Sequence, residues 1–178
     1  MKRIIILTFA LFLTACSNFD SGTAQLSKEV RDSQVIQNTV YVDNLAIAAQ
    51  PTKEDLNNVK KEGYEIVVNL RNPNEFKDYN EAKYVSELNL RYYNVPFFNN
   101  KKEINMRSLK MVSKLIKDNP NKKIYIHCSS GNRVSAWYLT HLHSEEGLSL
   151  DQATKIARRT GLTKPALEKR ILKSISKN

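Results

Sequence analysis

The sequence predicts an α/β domain with a central, mostly parallel sheet flanked by helices. Three observations carry this expectation. Short runs rich in β-branched and aromatic residues alternate with segments of helical period. Capping residues and glycines punctuate those segments at the right places. The 178 residues, 41% apolar and 26% charged, suffice to bury one ordinary core. That balance excludes a disordered chain. Five glycines and five prolines exclude a collagen-like or linker-dominated one. No internal repeat or low-complexity block interrupts the pattern.

The elements follow in order. Thr39 to Val42 and Leu45 to Ala48 read as two short strands around the turn Asp43–Asn44. Thr52 caps a helix over 53–62, with Asp55 at the capping-box position and Gly63 as the stop. Tyr64 to Leu70 is a strand that ends in the turn Arg71–Asn74. A second helix is expected over 78–89, then a strand from Arg91 to Val95 stopped by Pro96. Apolar residues at 104, 106, 109, 111, 112, 115 and 116 give helical spacing from Glu103 to Lys117. Lys122 to His127 is a strand, followed by helices over 133–144, 150–159 and 164–176.

The amino terminus reads as a targeting signal. A basic start, Met1–Arg3, precedes an almost wholly apolar run from Ile4 to Leu13. That run is too short to span a bilayer as a mature helix but suits a signal peptide. It ends in Leu13-Thr14-Ala15-Cys16, which resembles the bacterial lipobox, where the cysteine becomes the lipidated first residue. The expected organisation is a lipoprotein signal peptide over 1–15, a polar tether over 16–36 and one domain over 37–178. Cys16 is the expected lipidation site. The protein is then expected to be lipid-anchored in the cell envelope and to face the periplasm. Ser17 after the cysteine resembles an outer-membrane sorting signal. With Cys16 lipidated, Cys128 is the single remaining thiol, and no intramolecular disulfide can form.

The chemistry concentrates where the strand ending at His127 meets the next helix. There Cys128 is followed by Ser129, Ser130, Gly131, Asn132 and Arg133. In parallel sheets, ligands bind at the carboxyl ends of strands. A strand-to-helix loop also points its N–H groups inward and sits at the positive end of the helix dipole. Small residues let those amides wrap an anion. The same field favours thiolate over thiol and makes Cys128 a nucleophile. Arg133 offers a planar fork to oxyanion oxygens. Ser135, one turn into the helix, is placed to donate to the sulfur or to a leaving group. His127 should point to the other side of the strand and order the loop by hydrogen bonds.

His127-Cys128-x-x-Gly131-x-Arg133 resembles the active-site loop of the cysteine-dependent phosphatases, specifically the dual-specificity-like branch called beta-lactamase-hydrolase-like phosphatases. Four pieces, the loop among them, occur in that family's order. They are Leu45 to Pro51, Val67 to Arg71 with Glu75, Tyr93 to Pro96, and Ile126 to Val134. The resemblance covers roughly residues 38–162 and implies a cysteine-phosphatase-like fold. It implies that Cys128 takes the phosphoryl group as a thiophosphate, that Arg133 clamps the phosphoryl oxygens, and that Ser135 aids turnover. It also implies a phosphate cradle from the amides of Ser129, Ser130, Gly131, Asn132 and Arg133, with Arg71 and Glu75 in support.

Two departures qualify the resemblance. The usual tyrosine-phosphatase loop has five residues between cysteine and arginine; this one has four. A loop of this length also resembles that of rhodanese sulfurtransferases, where the cysteine carries a persulfide. The phosphatases also use an aspartate as general acid, and the stretch Phe97 to Glu103, where it is expected, holds none. Glu103 is the only carboxylate there; it is either the acid or the start of a helix. Three readings stay open: a phosphatase acting on a phosphorylated substrate, a sulfurtransferase, and an anion-binding module without turnover. No metal and no other cofactor is expected, because no residue cluster has ligand spacing. His141 and His143 face different sides of a helix. Trp137, Tyr138, Leu139 and Leu142 are expected to pack on the sheet. The basic carboxyl terminus reads first as a solvated face and second as attracted to anionic lipid headgroups; no nucleic-acid partner is expected.

Overall fold

The computed structural model describes residues 28–77 and 79–177. Among these residues, six strands form one mixed sheet in the order β1-β2-β3-β6-β4-β5. They are β1 (Arg31–Asp32), β2 (Thr39–Val42), β3 (Leu45–Ala48), β4 (Ile66–Asn69), β5 (Arg91–Asn94) and β6 (Ile124–His127). β3, β6, β4 and β5 run parallel, and β1 and β2 join antiparallel on the β3 edge. Six helices accompany them: α1 (Lys53–Lys61), α2 (Glu81–Glu87), α3 (Met106–Lys117), α4 (Asn132–Ser144), α5 (Leu150–Arg159) and α6 (Pro165–Ile175). The expected α/β class is the observed one.

The central strands are buried on both faces, so they carry no polar alternation. Alternate residues still divide between two cores. Ile124 and Ile126 of β6 face α3 to α6, with Ile47, Val68, Leu109, Trp137 and Ile156. Tyr125 faces α1 and α2, with Ala46, Val67, Leu56, Val59 and Val85. Helix α4 lies against the sheet beneath α3, α5 and α6, and nearly all of it is buried. Trp137, fully buried in α4, donates from Nε1 to the Leu109 carbonyl at 3.2 Å.

Three boundaries differ from the expectation. The tether does not run to residue 36: Arg31–Asp32 pairs with Tyr41 and Val40, and Ile36 is buried in the second core. Lys28 bridges Asp43 and Glu146. An open edge of β2 recruits this segment by main-chain pairing, which polar side chains do not announce. The third helix starts at Met106, because Asn105 caps it by accepting from Ser108 N–H. Residues 99–104 instead form a tight loop around Asn99, whose side-chain oxygen accepts from the N–H groups of Lys101 and Glu103. The second helix is shorter, capped by Asn80 and ended by Asn89 in the left-handed region. The expected signal peptide and Cys16 lie outside the described residues.

Truncating the buried tryptophan in Trp137→Ala should destabilise the fold by about 3–5 kcal/mol. Urea unfolding followed by circular dichroism checks this. A loss below about 1 kcal/mol would show that α4 is not the central helix of the core.

Candidate active site

The register aligns the carboxyl ends of the parallel strands: Ala48 and Asn69 both pair with His127, and Asn69 with Asn94. Four loops therefore leave the same edge of the sheet, after β3, β4, β5 and β6. The β6–α4 loop is pinned by main-chain bonds from Cys128 N–H to Ala48 O and from Gln50 N–H to Ser129 O. Gly131 adopts φ +79°, a left-handed conformation that turns the chain into α4. The first helical bond in α4 runs from Ser135 N–H to Gly131 O. The N–H groups of Asn132, Arg133 and Val134 thus begin the helix without intrahelical acceptors, as the first turn requires.

Cys128 lies directly beneath this turn, fully buried on the same strand face as Ile126. Arg133 folds back over it. Both of its terminal nitrogens donate to Glu75, at 2.7 and 2.8 Å, and one also donates to Ser129 Oγ at 2.8 Å. Burial acts against the Arg133 charge, but hydrogen bonding to Glu75 and the proximity of Cys128 outweigh it and raise its pKa. The reciprocal effect holds Glu75 below the usual carboxylate range, chiefly through its bonds from Arg133. Arg71 reinforces this carboxylate: its guanidinium bonds the Glu75 carbonyl, and its Nε lies 3.8 Å from a carboxylate oxygen. The structure therefore brings together Cys128, Ser129, Arg133, Glu75 and Arg71.

A hollow of about 470 Å³ opens over the loop. Ser129, Ser130, Asn132, Arg133 and Glu75 line its inner side, and Phe98, Lys164, Leu167 and Arg170 its outer side. A neighbouring hollow of about 570 Å³ shares Glu75 and Phe98 and extends over Asn72 and Asn99.

Three expected roles change. Ser135 does not face the sulfur: its hydroxyl donates to Thr160 O at 2.8 Å and ties α4 to the end of α5. Gly161 packs beside it: a Cβ there would make ordinary contact with Ser135 Oγ, at 3.5 Å. His127 points to the opposite strand face, as expected, but its partner is Glu81 of α2 at 2.8 Å rather than the loop. Glu103 stands outside the hollow over Cys128. It is exposed, accepts from the Asn99 side chain, and lines a separate depression with Lys173 and Lys177. Among the described residues, the one carboxylate lining the hollow is Glu75, already held by Arg133.

Two sets of residues went unassigned in the sequence reading. Gln50 bridges Arg71 Nη1 at 2.5 Å and Glu81 Oε2 at 2.6 Å. A polar chain thus runs Arg133–Glu75–Arg71–Gln50–Glu81–His127. Asn69 supports it from below, donating to Glu81 and Tyr92 and accepting from Arg71 N–H. The Asn132 side chain, read before only for its amide, accepts from the N–H groups of Thr163 and Lys164. Gln50 falls within the Leu45–Pro51 piece of the resemblance, but no spacing in the sequence gives it or Glu81 a partner.

This strand-to-helix loop, set in this sheet, is the fold of the cysteine phosphatases. The chain is similar to a DUF442 protein of Shewanella putrefaciens CN-32, with a TM-score of 0.62 and 20% identity over 81% of this chain and 94% of that one. It is similar to Tk-PTP in its active form, at 0.65 and 21% over 80% and 98%. It is also similar to a variant of Pseudomonas aeruginosa TpbA in complex with pTyr, at 0.67 and 10% over 84% and 90%. At these identities the likeness speaks for the fold. No family model matches the chain, and no curated protein matches it in sequence.

Glu81 gives the polar chain a pH signature. Burial disfavours its charge, but bonds from His127 and Gln50 prevail and lower its pKa. A carboxylate with a lowered folded-state pKa contributes stability above its unfolded pKa, about 4.3, and loses it as pH falls through the folded value. Glu81→Gln should therefore be less stable at neutral pH and show a flatter loss of stability below about pH 4.3. Thermal unfolding at several pH values tests this; an unchanged acid limb would remove Glu81 from the network.

Proposed function

We propose that this protein is a cysteine-dependent phosphatase that hydrolyses phosphomonoesters through a cysteinyl-phosphate. The observation that carries the reading is the placement of Cys128 beneath an Arg133 guanidinium that Glu75 orients, at the joint of β6 and α4. The fold, shared with phosphatases of which one is named in complex with pTyr, supports it. The cradle of residues 129–133 binds the phosphoryl oxygens by main-chain amides and by Arg133. The Cys128 sulfur attacks phosphorus; an S–P bond forms and the bond to the leaving oxygen breaks. Water then attacks phosphorus, the S–P bond breaks, and inorganic phosphate leaves. The leaving oxygen takes its proton from solvent, since Glu75 is committed to Arg133. We further propose that Cys16 carries a lipid that anchors the protein in the cell envelope, facing the periplasm, in the outer membrane. Incorporation of a labelled fatty acid that Cys16→Ser abolishes tests the anchor.

The enzyme should release phosphate from 4-nitrophenyl phosphate, and Cys128→Ser should reduce release to background. Arg133→Lys should lower kcat by roughly 10²–10³-fold, as when one preorganised oxyanion donor is lost. Thiocyanate formation from thiosulfate and cyanide with no phosphate release would instead favour the persulfide chemistry that the four-residue loop also fits.

With no free carboxylate over the sulfur among the described residues, the rate should depend steeply on the leaving group. Aryl phosphates of acidic phenols should react fast and alkyl phosphates slowly, with Glu103→Gln leaving that dependence in place. A flat dependence on leaving-group pKa across the series would show that a general acid is at work.

A further inference from the structure

We propose that Lys164 and Arg170 form a second anion subsite, so that the preferred substrate carries another phosphate or carboxylate on the α6 side of the scissile group. This deepens the phosphatase reading and rests on it for the word substrate.

Charge pairing in the hollow is one-sided. Arg133 and Glu75 neutralise each other through two hydrogen bonds. Lys164 and Arg170 line the same space, and neither has a carboxylate partner among the described residues. The acid of α6, Glu168, is occupied by Arg158 at 2.6 and 2.9 Å. The field continues in one direction. A further depression of about 360 Å³ shares Arg170 and adds Lys173 and Lys177; its acid, Glu103, is bonded to Asn99. In the neighbouring hollow, Asn72, Asn74, Asn99 and Asn100 line the wall, with Lys102 as its single cation.

The two differ in how they are held: Lys164 is exposed and tied to the loop through its backbone, whereas the Arg170 guanidinium itself is positioned. Asn132, the first residue of α4 and itself buried, accepts from Lys164 N–H at 2.9 Å. The backbone of Lys164 is thereby fixed to the phosphate loop. The Arg170 guanidinium sits 5.0 Å above the Phe98 ring and donates to Lys102 O at 2.6 Å. A cation positioned before the ligand arrives loses less entropy on binding than a free lysine on a surface. The subsite fits an oxyanion attached to the same molecule as the phosphoryl group, and a phosphate or a carboxylate meets that description.

Binding can be read without turnover on the unaltered protein by calorimetry with phosphonates, which are not hydrolysed. The probes are phenylphosphonate, 3-carboxyphenylphosphonate and 1,3-phenylenebisphosphonate. At least one of the two probes with a second anion should bind roughly tenfold or more tightly than phenylphosphonate at low salt. The advantage should shrink in high salt and collapse in both Lys164→Glu and Arg170→Gln. The carboxylate and phosphonate arms identify which anion the subsite prefers. Equal affinity for all three probes, or an advantage that survives both substitutions, overturns the subsite. Release of phosphate from 4-nitrophenyl phosphate by the same preparation separates that failure from failure of the phosphatase reading.

Discussion

A guanidinium that is nine-tenths buried needs a counter-charge, and the site is organised around meeting that need for Arg133. Glu75 meets it with both oxygens, from a turn that follows a different strand. The planar fork then has one orientation, over Cys128 and against Ser129. A lone buried charge would be expelled or neutralised. Paired in this way, it becomes a fixed donor for an incoming oxyanion. The short loop depends on this pair, because with four residues between cysteine and arginine it has fewer amides of its own to offer.

The demand propagates. Glu75 sits beside Arg71, which needs acceptors in turn and finds them in Gln50 and the Glu75 carbonyl. Gln50 hands on to Glu81, and Glu81 to His127 on the far face of β6. Since Glu81 is held ionised, His127 Nε2 is the donor in that pair. Residues either side of one peptide bond, His127 and Cys128, thus belong to opposite faces of the sheet, yet the polar chain joins them around its edge. The β3, β4 and β6 loops are tied together because each contributes a member.

Much of this was legible along the chain. Strand and helix alternation, the Thr52–Asp55 capping box and Gly63 placed α1 and β4 within a residue or two, since those signals are local. The Cys-to-Arg loop could be read as a nucleophile under an anion cradle because strand, small residues and helix are contiguous. Where the reading went astray, the deciding partner was distant in sequence. Ser135 lies one turn from the sulfur, and its hydroxyl goes to Thr160. Glu103 has the right chemistry for an acid, and Asn99 and Asn105 set it in a loop turned away from the cleft. Residues 28–36 look like a linker because edge pairing depends on backbone groups, not on side chains.

By itself, then, the sequence determined the alternation of strands and helices from residue 39 onward, and it singled out Cys128 and Arg133 as candidates. Those features follow from neighbours within about one helical turn or one strand. Only the tertiary structure decided that Glu75 neutralises Arg133, that Gln50 and Glu81 brace it, and that Lys164 and Arg170, without carboxylate partners among the described residues, come to the rim. The reason is physical: a charge or a polar group takes its partner from whatever the sheet register brings within 3 Å, and that register is set by burial of the whole core.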